Sequence, residues 1–188
     1  MEMRDQILAS AQRLVQQRGF NGFSYADIAA EVGIRKASLH HHFPTKTDLG
    51  LALIEVYSER LNSVLLNISG SSLTAVAKLG AYVALYRSSL EAERMCLGGM
   101  LASEALTLDA TMLPSLKRFF NCNIEWLTEI LEEGNSQQIF VLNGSAVNHA
   151  RMLLSALQGA LLIARATGDR EAFEQTASSL ITVLTRKG

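Results

Sequence analysis

Three consecutive histidines, His40, His41 and His42, lie in a run from Arg35 to Thr47 that also holds Arg35, Lys36 and Lys46 and contains no acid. Side chains of this kind suit phosphate. Lysine and arginine displace the counterions condensed on a nucleic-acid backbone, and short polar residues on a helix reach base edges. A metal site is a poor alternative, because consecutive helical positions point about 100° apart and three such rings cannot converge on one ion. Cys96 is a second reactive candidate. It lies in Glu93-Arg-Met-Cys-Leu-Gly-Gly-Met-Leu-Ala-Ser-Glu104, beside Arg94 and at the predicted start of a helix. A helix N-terminus and a nearby cation favour the thiolate, the form that reacts with electrophiles and oxidants, whereas burial opposes it. A helical enzyme acting through Cys96 or His149 is the competing class. The chain has no phosphate loop, metal-ligand spacing or recognisable nucleophile–base motif to support it, so no catalytic residue, metal or cofactor is expected.

The elements that must carry the basic run are helical. Ile7, Leu8, Ala11, Leu14 and Val15 form one apolar stripe that ends at Gly19. Ser24-Tyr-Ala-Asp27 has the spacing of a capping box and opens a short helix with Ile28, Ala29 and Val32 inward. Gly33 interrupts it, and a second short helix is expected from about Lys36 to His42, burying Leu39 and Phe43. Pro44 cannot continue that helix, and Thr45-Lys-Thr-Asp48 repeats the cap before a long helix. Short helix, glycine turn and basic second helix give the outline of a helix-turn-helix, whose second helix enters the major groove.

The segment Phe23-Ser-Tyr-Ala-Asp-Ile-Ala-Ala-Glu-Val-Gly-Ile-Arg-Lys-Ala-Ser-Leu-His-His-His-Phe-Pro-Thr-Lys-Thr-Asp-Leu resembles the DNA-binding signature of the TetR family of transcriptional regulators. It shares the I-A-x-x-x-G-[VI] turn, Ser-Leu in the recognition helix, and the H-F-x-x-K-x-x-L entry into the fourth helix. The resemblance covers about the first 60 residues. It implies that Lys36, Ala37 and Ser38 face bases, that Ser24 and Tyr25 touch the DNA backbone, that His42 and Lys46 bind phosphate, and that Leu39 and Phe43 are core. Where this chain has His40 and His41, members of the family commonly carry aromatics. Imidazoles gain charge on acidification, so phosphate contacts made by these histidines would strengthen as pH falls.

Beyond Ser69-Gly-Ser-Ser72, a linker-like stretch, helical patterns follow at roughly 73–92, 96–107, 112–134, 146–167 and 170–185. Only Gln138 to Leu142 has strand-like residues, and its flanks favour an ordered loop. The expected fold is all-α with about nine helices. A three-helix DNA-binding domain at 1–48 is followed by an effector-binding and dimerisation domain at 49–188. Residues 146–167 carry Ala150, Leu153, Leu154, Leu157, Ala160, Leu161 and Ala164 on one face and Met152, Ala156, Gly159 and Ile163 on another. A helix apolar on two sides needs two burial partners, and DNA half-sites related by a two-fold axis call for a dimer. Leu154, Leu157, Leu161, Phe173, Ala177, Leu180, Ile181 and Leu184 are the expected interface. By the same resemblance, the body holds a small effector that shifts the fourth helix. The candidate lining residues are Tyr82, Tyr86, Cys96, Met100, Phe119, Cys122, Trp126, His149 and Met152, a set suited to an apolar or weakly polar molecule. The C-L-x-x-x-L-A-x-E pattern from Cys96 also resembles a TetR branch that senses electrophiles or oxidants through cysteine.

Composition bounds the rest. The chain has 188 residues, 17 Lys+Arg against 18 Asp+Glu, 48% hydrophobic residues and two prolines. Average proline usage is about 5%, so long helices with few breaks are expected. The near-neutral balance excludes a polycationic coat protein and an acidic disordered tail. Residues 1–50 hold six Lys+Arg and five Asp+Glu, and residues 51–188 hold eleven and thirteen. The positive charge is therefore local to 35–47. Cys96 and Cys122 fit neither a disulfide framework nor a zinc pattern. The polar start, MEMRDQILAS, has no signal-peptide core, and the longest uncharged apolar stretch, Met152 to Ala164, is too short for the ~20 residues that span a bilayer. The expectation is a cytoplasmic protein with no membrane partner, acting on an operator as a homodimeric repressor.

Overall fold

In the computed structural model, which describes residues 2–185, nine α-helices follow one another: α1 (Met3–Arg18), α2 (Tyr25–Val32), α3 (Lys36–His42), α4 (Lys46–Ser69), α5 (Ala75–Glu91), α6 (Leu97–Ser103), α7 (Leu113–Ser136), α8 (Ala146–Thr167) and α9 (Arg170–Leu184). A 3₁₀ turn, Ala110–Met112, precedes α7. The all-α expectation holds. The strand-like Gln138–Leu142 run makes one antiparallel bridge, Phe140 with Thr185, as the Val141 amide donates to the Leu184 carbonyl at 2.8 Å. Helix α6 stops at Ser103, short of the expected 107, because residues 104–107 fold into successive turns on the Leu101, Ala102 and Glu104 carbonyls.

Two compact units divide the chain. One comprises residues 1–60 and 94–119, the other 61–93 and 120–188. In the first, Ile7, Ala11, Leu14 and Val15 of α1 are buried, as are Ile28, Leu39 and Leu49, one from each of the next three helices. Local chemistry sets the helix ends. The Asp27 carboxylate accepts from both the Ser24 amide and hydroxyl at 2.7 Å, and Asp48 does the same for Thr45 at 2.9 and 2.7 Å. These are the two capping boxes, each placing a carboxylate at the positive end of a helix. The Ser24 hydrogen bonds hold the Asp27 carboxyl below its ordinary pKa. Gly33 ends α2 with φ +74, a left-handed conformation that turns the chain toward α3 while its amide donates to Ala29 at 3.0 Å.

In the second unit Leu65, Leu79, Leu127, Leu131, Leu153, Leu157, Leu161, Phe173 and Leu184 form the core. Several of its buried polar groups are paired. Lys78, 6% exposed, donates to both Glu133 oxygens at 3.0 and 2.8 Å. The Trp126 indole donates to the Leu65 carbonyl at 3.1 Å and the Ser69 hydroxyl at 2.7 Å. Tyr82 stacks on Trp126 with centroids 5.4 Å apart and donates to Asn123 Oδ1 at 2.9 Å.

Gly134 and Gly80, both helical, make opposite predictions. A Cβ at Gly134 would overlap the Phe140 ring and approach the Ala75 Cβ to 3.0 Å, whereas one at Gly80 meets nothing within 4 Å. Gly134→Ala should lower stability by about 1–3 kcal/mol through overpacking, and Gly80→Ala should raise it by up to about 1 kcal/mol through helix propensity. Denaturant melts of the two variants check both signs.

Candidate nucleic-acid interface

The helix-turn-helix is held by side chains that the linear pattern reads as DNA contacts. Tyr25, the first residue of α2, is only 6% exposed. Its hydroxyl lies 2.8 Å from the Phe43 carbonyl and 2.6 Å from the Thr45 carbonyl, sharing one proton between them. Carbonyls at a helix C-terminus have no intrahelical donor. Tyr25 supplies one and so ties the end of α3 to the start of α2. Burial, reinforced by the negative charge of Asp48, pushes its phenol from 10.0 up to about 12. Tyr25 is thus a positioning residue beneath the surface.

Lys46 is also turned inward. Its ammonium donates to the Phe23 carbonyl at 2.5 Å and lies 4.3 Å from the Phe23 ring centroid and 5.0 Å from that of Phe20. Those rings meet edge to face at 6.0 Å. Desolvation lowers the Lys46 pKa against the opposing pull of Glu104 and Asp27. Lys46 is thus half-buried and already engaged, whereas the resemblance implies a phosphate contact.

Other cations lie on α3. Arg35 caps the helix, and Arg35, Lys36, Ala37, Ser38, His40 and His41 are exposed, while Leu39 is fully buried. Among the described residues, no acid lies in the first turn of α3. Ser24 is exposed at the start of α2 and His42 is half-buried, its ring 5.9 Å from that of His41. The His40 ring packs 4.8 Å from Tyr25, with Nδ1 3.2 Å from the Pro44 carbonyl. A short helix thus presents a basic, small-residue front on a fixed base, the arrangement that major-groove reading requires.

The sequence profile of bacterial regulatory proteins of the tetR family matches residues 7–53. A TetR transcriptional regulator from Legionella pneumophila superposes with a TM-score of 0.91 at 34% identity, covering 98% of both chains. A TetR-family regulator from Agrobacterium tumefaciens gives 0.94 at 34% identity over 97% of both. This chain belongs to the TetR family of transcriptional regulators. The Escherichia coli transcriptional repressor NemR is 23% identical over 97% of this chain and 94% of its own. As a TetR-family member the chain is a DNA-binding transcriptional regulator, and its relatives at family level are regulators rather than enzymes.

The residues expected to line an effector site in this TetR-family chain fall into separate groups. Tyr82, Tyr86 and Trp126 come together with Asn123, and Tyr86 also receives a hydrogen bond from Gln158 at 3.2 Å. Cys96 and Phe119 both lie against Tyr57: the Tyr57 hydroxyl is 4.0 Å from the sulfur, and the Tyr57 and Phe119 centroids are 5.7 Å apart. Met100 and Cys122 are half-buried. His149 Nε2 lies 3.3 Å from the Asn143 carbonyl, and Met152 is exposed. Of the expected dimer residues, Leu154, Leu157, Leu161, Phe173, Ala177 and Leu184 are buried within the protomer, and Leu180 and Ile181 are half-buried. The large apolar groups left outside on α8 and α9 are Met152, Leu162, Ile163 and Val183. One apolar face is thus buried in the protomer's own core, and apolar residues of the opposite face are exposed.

Sequence pattern alone misses Glu104. Its carboxylate accepts the Phe20 amide at 2.5 Å and the Asn21 amide at 3.1 Å, while Asn21 Nδ2 donates to Thr107 Oγ1 at 2.8 Å. No local signal could reveal a contact 84 residues away in sequence.

Tyr25→Phe removes a buried donor and should destabilise the protein by about 1–2 kcal/mol at pH 8. A phenol pKa raised in the folded state stabilises below its unfolded value, and that stability is lost as pH rises through the folded value. The gap between wild type and Tyr25→Phe should therefore close as pH climbs from 10 toward 12, as parallel urea melts would show. Constancy across that window would contradict the buried phenol.

Proposed function

We propose that this regulator is a repressor that binds a palindromic operator as a homodimer and leaves it when a small molecule occupies the helical body. The observation that carries the DNA reading is the exposed front of α3, Lys36, Ala37 and Ser38 behind Arg35, on a helix anchored by Leu39 and locked by Tyr25. In this reading residues 1–48 contact DNA, with Ser24, His40, His41 and His42 near the backbone, and residues 49–188 sense and dimerise. Relatives named as repressors, NemR among them, support repression over activation. The protein acts in the cytoplasm and catalyses nothing through Cys96 or His149.

Dimerisation is supported by the outer face of α8 and α9. There a groove of about 540 Å³ is lined by Met152, Ala172, Gln175, Thr176, Ser179, Leu180 and Val183. Val183 is 76% and Ile163 60% exposed, an apolar display that soluble monomers rarely carry as a continuous patch. Gly159 lies on α8 with open space where a Cβ would stand, which permits close helix approach. For the effector, Tyr82, Tyr86, Asn123 and Gln158 supply hydrogen-bonding groups among aromatic walls, suited to an apolar or weakly polar molecule. The burial of Cys96 favours ligand binding over electrophile sensing.

Genomic fragments retained by the purified protein should contain inverted repeats. On such a fragment Lys36→Ala should weaken binding by about 1–3 kcal/mol and reduce discrimination against competitor DNA. An unchanged mobility shift across a salt series would refute α3 as the reading helix. Val183→Arg combined with Ile163→Arg should convert a dimer into a monomer in sedimentation while leaving helical circular dichroism intact. A persistent dimer would move the interface elsewhere.

A further inference from the structure

The unit that holds the helix-turn-helix contains a second concavity on a face separate from the front of α3. It is a polar cleft of about 460 Å³ walled by α1, the end of α2, α4 and the segment before α6. Three guanidinium groups line it, Arg13, Arg60 and Arg94, against one carboxylate, Glu31, so its formal charge is +2. The one acid is already engaged, because Arg13 forms an ion pair with Glu31 and donates to Gln17 at 3.0 Å. Among the described residues, neither Arg60 nor Arg94 has a carboxylate at ion-pair distance. Arg60 reaches only the Gln12 amide oxygen, at 3.5 Å.

Two buried polar atoms on the same wall are unsatisfied: Arg94 Nε and the hydroxyl of Ser10, a residue 5% exposed. The Ser10 hydroxyl neighbours the Glu31 carboxylate and, with Arg13, helps hold it below the ordinary carboxylate range. Buried donors without acceptors are uncommon in folded proteins, because each forfeits its hydration without replacement. Here both belong to a concavity that already carries excess positive charge. What the site lacks is negative charge presenting several acceptor oxygens, the complement of convergent guanidinium forks.

We propose that this cleft binds the multiply charged oxyanion group, phosphate or carboxylate, of a small polar metabolite. Arg60 and Arg94 hold the charge, and Ser10 donates a hydrogen bond. The volume exceeds that of a bare phosphate, so the group is the head of a larger hydrophilic molecule. This ligand differs in chemistry from the apolar effector proposed for the helical body. Because α1, α2 and α4 all contribute to the wall, the occupant bridges the end of α2 and the middle of α4.

The test uses the full-length protein and titrates sodium pyrophosphate and, separately, sodium citrate by calorimetry at constant ionic strength set with chloride. Saturable binding of either anion is expected, with the stronger of the two assigning the class as phosphate or carboxylate. Arg60→Gln, an exposed position whose replacement leaves the fold intact, should weaken it at least tenfold, and Arg94→Gln likewise. Arg60→Lys should retain part of the affinity. The wild-type unfolding midpoint should rise with anion concentration, and that of Arg60→Gln should not. Absence of saturable binding for both anions, or equal affinity in wild type and Arg60→Gln, overturns the proposal.

Discussion

One carboxylate holds together the turn on which the helix-turn-helix rests. Glu104, at the end of α6, accepts the amides of Phe20 and Asn21 as the chain leaves α1. Amides in a tight turn against the core would otherwise be desolvated without partners. With the turn secured, Phe20 and Phe23 set their rings edge to face and form the slot that receives the Lys46 ammonium. Lys46 opens α4, and the hydrogen bond from its ammonium to the Phe23 carbonyl ties that start back to the residue before the Ser24 cap. Tyr25 closes the loop from the other side by holding the Phe43 and Thr45 carbonyls. The position of α3 is therefore a consequence of hydrogen bonds made behind it.

This explains why Tyr25 is buried and Lys46 half-buried, although both belong to the expected DNA set. A cation within an apparently basic run reads as a phosphate ligand when only spacing is visible. Yet Lys46 has two aromatic faces and a carbonyl within reach, and these offset its desolvation. Tyrosine has an apolar body and a polar tip, and a helix end with spare carbonyls gives that tip a buried partner. The local signals in this region were legible: the Ser24–Asp27 and Thr45–Asp48 caps, the Gly33 stop, and the inward Leu39 all follow from neighbouring residues. The Glu104 contact was not legible, because its partners are separated by 84 positions and its sequence context is an ordinary helix end.

The body shows the same limit in another form. Periodicity reveals that α8 is apolar on two sides, but it cannot say which side faces the protomer's own core. That choice depends on where α5, α7 and α9 lie. Leu153, Leu154, Leu157 and Leu161 pack inward, with Leu79 of α5, Leu127 of α7 and Phe173 and Ala177 of α9 buried in the same unit. The residues left outside, Met152 and Ile163, belong to the second stripe. Helix existence and type were readable across the chain. Assigning faces to partners required the tertiary arrangement, since hydrophobic burial is non-directional and rewards any apolar contact alike.

Buried polar groups meet two different ends in this chain. In the second unit Lys78 has Glu133, Trp126 has Leu65 and Ser69, and Tyr82 has Asn123, so these groups are satisfied while His149 Nδ1 is buried without a partner. A satisfied network of this kind fixes side-chain orientation and makes the interior selective toward what it admits. The first unit combines an equally satisfied turn, closed by Glu104 and Tyr25, with a cleft where Arg94 Nε and Ser10 Oγ find no acceptor. The contrast lies within one set of helices, since α1 contributes to both the closed turn and the open cleft. Arg94 Nε thus stays a buried donor at the edge of a cleft with net positive charge, a place that suits an acceptor supplied from solution.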